Sequence, residues 1–262
     1  MSTASVLLAT GSGVTSGAPD ASRTAAPTYT LLLTTDQNLI EEAQRLRYEV
    51  FASEPGFDLT LTTDADRFDQ YCDHLLVRED ACGDLVGCYR MLPPPGAIAA
   101  GGLYTATEFD IGALDPLRPS LVEMGRAVVR EEHRNGAVVL LMWAGILAYL
   151  DRCGYNYVTG CVSVPLAQAR AVRDYVQKRY RSDYEVQPHR PVALDDIPAP
   201  ARVEVPPLMR GYLRLGARVC GEPSHDPDFG VADFLILLDK READIRYLKR
   251  LRSVAAAAEA VR

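Results

Sequence analysis

The sequence predicts an α/β domain: a mixed, partly parallel central sheet flanked by helices. Three observations predict it. In the second half of the chain, apolar segments of strand length alternate with segments of helical period, the order that joins parallel strands through crossover helices. Residues 73–92 carry a hairpin pattern, which supplies antiparallel strands. The 262 residues, 48% hydrophobic and 24% charged, suffice for the core of one large domain.

Residues 1–28 are rich in Ala, Ser, Thr, Gly and Pro and are expected to form a disordered tail. Residues 29–240 read as the folded domain, and 241–262 as a C-terminal helix. The first strand is expected at 29–34. Asp36 then caps a helix to about residue 51, in which Leu39, Ala43, Leu46 and Val50 form one stripe. Arg47 lies at the shoulder of that stripe beside Ala43 and Phe51, so it must reach a partner or a pocket. Residues 54–67 read as an irregular loop. Strands at 73–78 and 85–92 follow, ended by Pro93, Pro94, Pro95 and Gly96. A strand at 121–129 leads to a helix at 137–152 that is apolar nearly all round and therefore central. A strand at 155–164 is followed by a helix with Pro165 in its first turn. The stretch 182–207 is Pro-rich and weakly patterned. A short helix at 208–216, a buried strand at 231–238 and a segment from Arg241 that is basic on one side complete the order.

The net charge of −7 gives a nucleic-acid role no bulk electrostatic support. The six cysteines form no CxxC pair and lack a histidine at zinc-finger spacing; they read as small buried thiols of a reducing compartment, and the expected location is cytoplasmic. The longest apolar run, 137–150, is shorter than the roughly 18 residues a membrane span needs. No metal-binding group is apparent, and neither a GxSxG motif nor a cysteine with a local base supports a covalent nucleophile.

The sharpest feature is Leu121-Val122-Glu123-Met124-Gly125-Arg126-Ala127-Val128-Val129. Glu123 and Arg126 lie three apart inside an apolar strand, where a regular pleat would send them to opposite faces. Either they make an ion pair on a solvated face, or a bulge at Gly125 turns both to one side and frees backbone to meet an extended thioester arm. Arg130-Glu131-Glu132-His133-Arg134-Asn135-Gly136 then leads into the buried helix. That loop is either a polar lead-in or an anion site made by first-turn N–H groups.

Strand, Gly-bearing loop, apolar helix and following strand resemble the acyl-donor core of the GCN5-related N-acyltransferases, the GNAT fold. The usual loop pattern is not kept: His133 takes its first place, Gly136 the middle and Val138 the last. The departure suits a donor with a single phosphate, the acyl-phosphopantetheine of an acyl carrier protein, over acyl-CoA. Leu46-Arg47-Tyr48-Glu49-Val50-Phe51, Asp66-Arg67-Phe68-Asp69, Gly87-Cys88-Tyr89-Arg90-Met91-Leu92 and Glu123-Met124-Gly125-Arg126 resemble the signature of acyl-homoserine-lactone synthases. The run from Pro206 to Gly216, with Gly221-Glu222-Pro223, Asp226-Pro227-Asp228-Phe229 and Ala232-Asp233-Phe234-Leu235, looks like the bacterial L-ornithine Nα-acyltransferases of ornithine-lipid synthesis.

The resemblance implies attack of a neutral amine on a fatty, potentially 3-hydroxylated, acyl thioester, with no tightly bound cofactor. Glu123 is the expected base or amine anchor and Arg126 its catalytic companion. Arg47, Arg90, Asp66 and Asp69 are expected to bind the acceptor, although the two aspartates equally suit a local turn. Asp228 and Asp233, with Asp226, would complete an acidic pocket, although Asp-Pro-Asp is also a turn signal. Val128, Arg130, His133, Arg134 and Gly136 would hold the donor. Acyl carrier protein is the expected partner, meeting Arg170, Arg173, Lys178, Arg179 and Arg181. The basic tail helix suggests an anionic membrane surface, against the alternative of a helix docked on the domain. Other readings are an acyl-homoserine-lactone or other N-acyl amino acid synthase, and a non-catalytic acyl-carrier or lipid-binding module.

Overall fold

The first half of the sheet is built from neighbouring antiparallel strands and the second half from crossovers. The computed structural model describes residues 4–9, 27–52, 63–134, 136–198, 201–227 and 229–259. Strand β1 (Ala4–Ala9) pairs antiparallel with β2 (Tyr29–Thr34). Asp36 then accepts the N–H groups of Asn38 and Leu39 and starts helix α1 (Gln37–Phe51), which buries Ile40, Ala43, Leu46, Arg47 and Val50. Strands β3 (Asp73–Glu79) and β4 (Leu85–Leu92) form the expected hairpin, and every residue of β4 is buried. A short helix α2 (Pro94–Ala99), a two-residue strand β5 (Phe109–Asp110) and 3-10 turns lead to β6 (Leu121–Val129), antiparallel to β4.

Helix α3 (Ala137–Cys153) crosses to β7 (Tyr157–Pro165), which runs parallel to β6. Helix α4 (Leu166–Arg179), β8 (Arg181–Pro188), α5 (Pro207–Leu215), β9 (Arg218–Gly221), β10 (Ser224–Asp226), β11 (Val231–Asp239) and α6 (Ile245–Glu259) complete the chain. The strand order is β1-β2-β3-β4-β6-β7-β11-β9-β8-β5, with β10 on β11. Parallel β6–β7 and β8–β9 pairs among antiparallel neighbours make the sheet mixed, as expected. Alternation along β3 divides the core. Leu75 and Val77 pack with α3, while Leu76 packs with Ala43 and Leu46 of α1.

Four expectations are corrected. The segment 1–28 is not tail throughout: Ala4–Ala9 is a strand whose Leu7 and Leu8 are 1% and 0% exposed. Composition averaged that apolar run into its Ala- and Gly-rich surroundings; residues 10–26 lie outside the described ones. The prolines that end the hairpin open α2, because two of them occupy its first turn. Strand β8 falls in the stretch read as weakly patterned, and β9 and β10 follow where no strand was expected; β8 exposes much of its surface, so it carries little apolar period. The C-terminal helix begins at Ile245 rather than 241, after a turn where Arg241 is held by Asp239 and Tyr157. It docks on the domain through Leu248 and Leu251, 8% and 1% exposed. No described helix is long and apolar enough to cross a membrane.

The feature that positions the site is a divergence in the middle of the sheet. β6 and β7 pair at only three positions, 121–157, 122–158 and 123–159. Gly160 permits the last close approach, since a Cβ there would stand 2.2 Å from the Met124 carbonyl oxygen. Beyond it the strands part, while β7 continues to pair with β11 along its whole length.

Candidate active site

A cavity of about 300 Å³ opens where β6 and β7 separate. Gly125, Arg126 and Ala127 of β6 form one wall, and Cys161, Val162 and Ser163 of β7 the other. Phe51 from α1, Tyr212 from α5, and Asp226 and Asp233 from the C-terminal strands close its sides. The long C-terminal motif thus contributes directly to the cavity.

The bulge expected in β6 is present, one residue further on. β4 advances two residues from Cys88 to Arg90 while β6 moves three, from Val128 to Gly125. The residue in the left-handed region is Arg126, with φ of +52°, and no other non-glycine described residue has positive φ. Such a conformation costs about 1–3 kcal/mol in a side-chain-bearing residue. Bonds to its side chain offset it: Arg126 Nε lies 3.1 Å from Asp64 and a terminal nitrogen 3.5 Å from Asp66. The guanidinium also stands 5.3 Å from the Tyr104 ring centre. Glu123 and Arg126 both wall the cavity, but they do not pair with each other, and neither lies on a solvated face.

Glu123 is 5% exposed, and its two carboxylate oxygens accept the backbone N–H groups of Tyr104 at 2.6 Å and Thr105 at 2.8 Å. Burial raises its pKa against the lowering effect of those bonds. Each oxygen retains a further lone pair.

Arg47, expected to need a partner, has one. It is 0% exposed and donates a bidentate pair to Asp69 at 3.0 and 2.9 Å, with Nε 2.7 Å from Asp64 and another bond to the Asp64 carbonyl. Arg90 reaches Asp66 at 2.6 Å and Asp69 at 3.1 Å. Burial alone would raise the Asp69 carboxyl, but the bonds from Arg47 and the charge of Arg90 hold it well below the usual range. His74, 1% exposed, bonds the Asp69 carbonyl at 2.9 Å, and burial lowers its pKa. The expected acceptor-binding set therefore divides. Arg90 walls the cavity, whereas Arg47, Asp66 and Asp69 do not; their charges are matched within the network that ties residues 64–72 to α1, β4 and β6. Asp64 belongs to this network and was missed. Its signal was present in the acidic run Asp64-Ala65-Asp66-Arg67-Phe68-Asp69.

On the C-terminal side stands a second acidic group. Glu108, Cys161 and Asp233 bring ligand atoms within 4.8 Å of one another, a grouping that metal-ligand spacing in the sequence did not reveal. Glu108 and Asp233 are 2% and 4% exposed. Burial and the neighbouring carboxylates, Asp226 included, push the Glu108 and Asp233 carboxyls upward. The Cys161 thiol is raised well above its usual range, first by burial. Asp233 was expected at an acidic pocket and walls the cavity; Asp228 lies outside the described residues. Glu108 was missed, since it sits in a short irregular segment with no period to mark it.

The expected donor residues follow β6 away from the cavity. Val128 is buried in the α1-side core. Arg130 is tied to Glu49 at 2.8 Å and to the Leu85 carbonyl at 3.1 Å. The ring of His133 bonds the Tyr29 hydroxyl at 3.0 Å, and Arg134 donates to the Val129 carbonyl at 3.0 Å. Gly136, φ +85°, opens α3. None of these five walls the cavity. Of the cysteines, Cys82 and Cys153 are exposed rather than buried, a correction to the sequence reading.

A family profile described as an acetyltransferase (GNAT) domain matches residues 46–144. The chain is 36% identical over 235 residues to the L-ornithine N(alpha)-acyltransferase of Brucella abortus, an alignment spanning 80% of this chain and 83% of that one. It is 35% identical over 234 residues to the protein of the same name from Rhizobium meliloti, spanning 80% and 79%. In fold it resembles the crystal structure of the AHL synthase LasI, with a TM-score of 0.52 at 14% identity over 87% of this chain and 96% of that one.

Proposed function

Since the chain belongs to the L-ornithine N(alpha)-acyltransferase family on the GNAT fold, we propose that it moves a (3-hydroxy)fatty acyl group from acyl carrier protein to the alpha-amine of L-ornithine, in ornithine-lipid synthesis. The observation that carries the reading is the cavity at the β6–β7 divergence, walled by Arg90 and Arg126 and, elsewhere, by buried carboxylates. Ornithine brings one carboxylate and two ammonium groups, so its acceptor site needs both signs of charge.

The amine must shed a proton before it attacks the thioester carbonyl; the oxyanion then needs donors and the thiolate must leave. Glu123 accepts the proton through the lone pairs its amide bonds leave free, and a pKa raised by burial makes it the stronger base. Arg126 orients the acceptor carboxylate. The bonds to Asp64 and Asp66 hold its guanidinium in one position. The pantetheine arm lies along the β6 edge that β7 has left, and its phosphate meets the turn from Val128 through Arg130, His133 and Arg134 to Gly136. The acidic carrier protein docks on Arg170, Arg173, Lys178, Arg179 and Arg181. The protein acts in the cytoplasm. Exposed Arg246, Lys249 and Arg250 of α6, beside Ile245 at 68% exposure, give it weak contact with an anionic membrane face.

Free-thiol release from purified acyl carrier protein thioesters, with mass spectrometry of the product, tests the function. Ornithine-dependent thiol release yielding N-acylornithine is expected, faster than with acyl-CoA. Lactone formation without acylornithine would replace the reading with that of a signal synthase. Absence of turnover with every donor would leave a binding module.

A further inference from the structure

We infer that Glu108 and Asp233 form the receptor for the side-chain ammonium of the acceptor, so that this pair selects a basic amino acid over a neutral one. The inference rests on the acyl-transfer reading above and adds to it the residues that choose the acceptor.

Glu108 closes the turn 104–107, two of whose amides hold Glu123, so the two glutamates sit at either end of one short, anchored segment. Asp233 projects from β11 into the cavity, in register with Ser163 of β7 and Ser224 of β10. The Glu108 and Asp233 carboxyls are buried against each other, with Ser163 beside Asp233. Among the described residues neither side chain makes an ion pair with a cation. The one arginine in the cavity wall near them, Arg126, is held by Asp64 and Asp66. Burying two carboxyls side by side with no cation to match them is costly, and a positively charged ligand group relieves that cost.

The chemistry of the missing group follows from the oxygens. Deprotonated, they are acceptors, and one oxygen of each converges on the same point beside Cys161 Sγ. An ammonium group presents N–H donors and a positive charge, which match a carboxylate pair in kind and sign. A divalent cation is the competing ligand. It would take Cys161 Sγ beside the two carboxylates and would have to displace the thiol proton. A neutral side chain would leave the oxygens unmatched, the situation in which a polar site rejects an analogue most strongly.

The test compares L-ornithine with L-norvaline, which has the same carbon chain and no distal amine. Both are assayed with acyl carrier protein thioester on the wild type, Glu108→Gln and Asp233→Asn. The wild type is expected to prefer ornithine about a hundredfold or more in kcat/KM. Each variant should lose about tenfold or more for ornithine, chiefly through KM, with norvaline changed less than about twofold. Variants that keep the wild-type ratio overturn the inference while leaving the acyltransferase intact. A wild type that acylates no amino acid overturns the functional reading and this inference with it. If a variant fails to fold, calorimetry on the wild type decides: norvaline binding as tightly as ornithine overturns the proposal. Activity lost on chelation and restored by zinc would assign the carboxylates to a metal and overturn it as well.

Discussion

Two clusters of carboxylates stand near the same cleft, and they differ in one respect. Asp64, Asp66 and Asp69 face Arg47, Arg90 and Arg126, charge against charge, in a network of ion pairs. Glu108 and Asp233 have each other and Asp226 for neighbours and no cation at ion-pair distance among the described residues. The difference separates structure from ligand recognition. A balanced buried network gains from its partners what desolvation costs and pins the chain, here the segment 64–72 against β4 and β6. An unbalanced one stays costly until something positive arrives from outside.

The largest effect comes from unbalancing the first cluster. Asp69→Asn or Arg47→Ala leaves buried charge without its bidentate partner and should cost about 3–5 kcal/mol, read as a large drop in the denaturant midpoint. A loss under about 1 kcal/mol would mean that the network is solvated and that these residues are available to substrate. Next in size, Glu123→Gln should cut kcat by about a hundredfold. It should also cost about 1–3 kcal/mol of stability, because the amide nitrogen is a donor and cannot replace the oxygen that accepts from Tyr104 or Thr105. Normal turnover by the folded variant would pass the base role to the second cluster.

The clusters also predict opposite pH dependence. Asp69 has a folded pKa below its unfolded one, so its contribution is present above about pH 4 and lost as the pH falls. Glu108 and Asp233 have folded pKa values above their unfolded ones. The folded state there binds more protons, so stability declines as pH rises from about 4 towards 8. Thermal melts of Glu108→Gln/Asp233→Asn should therefore be flatter than wild type across that window and unchanged in their acid limb. Equal slopes would show that the pair does not titrate as a buried unit. The smallest effect concerns solvated charge. Arg181, paired to Glu185 at 2.6 Å on the surface, should change stability by less than about 1 kcal/mol when reversed to Glu. The same change should raise KM for acyl carrier protein and weaken its salt dependence, with acyl-CoA unaffected.

Much of this fold was legible because secondary structure follows local period. The β3–β4 hairpin, β6 and α3 were readable from pleat alternation or a continuous apolar run. Strand β1 was not, since a six-residue run in an Ala- and Gly-rich segment carries no period of its own and depends on the edge of β2 for its bonds. The site was legible as misplaced charge: an arginine on an apolar stripe, and a glutamate and an arginine inside an apolar strand. Those anomalies were sufficient to single out Arg47, Glu123 and Arg126, and resemblance supplied Asp66, Asp69 and Arg90.

Partnership required the tertiary structure. Arg47 and Asp69 are 22 residues apart, and Thr105 and Glu123 are 18 apart, so nothing local says that they meet. The β6 bulge falls on Arg126 rather than on the neighbouring glycine, because side-chain bonds to Asp64 and Asp66 offset a backbone angle that the residue type disfavours. Glu108 stands in no pattern at all; it matters only because the strand β11 brings Asp233 beside it. The sequence by itself determined which residues must be buried and which of those carry charge, since burial follows period and charge follows residue type. Only the folded chain decided which charges cancel and which remain unmatched, because electrostatic balance depends on distances between segments that the sequence does not contain.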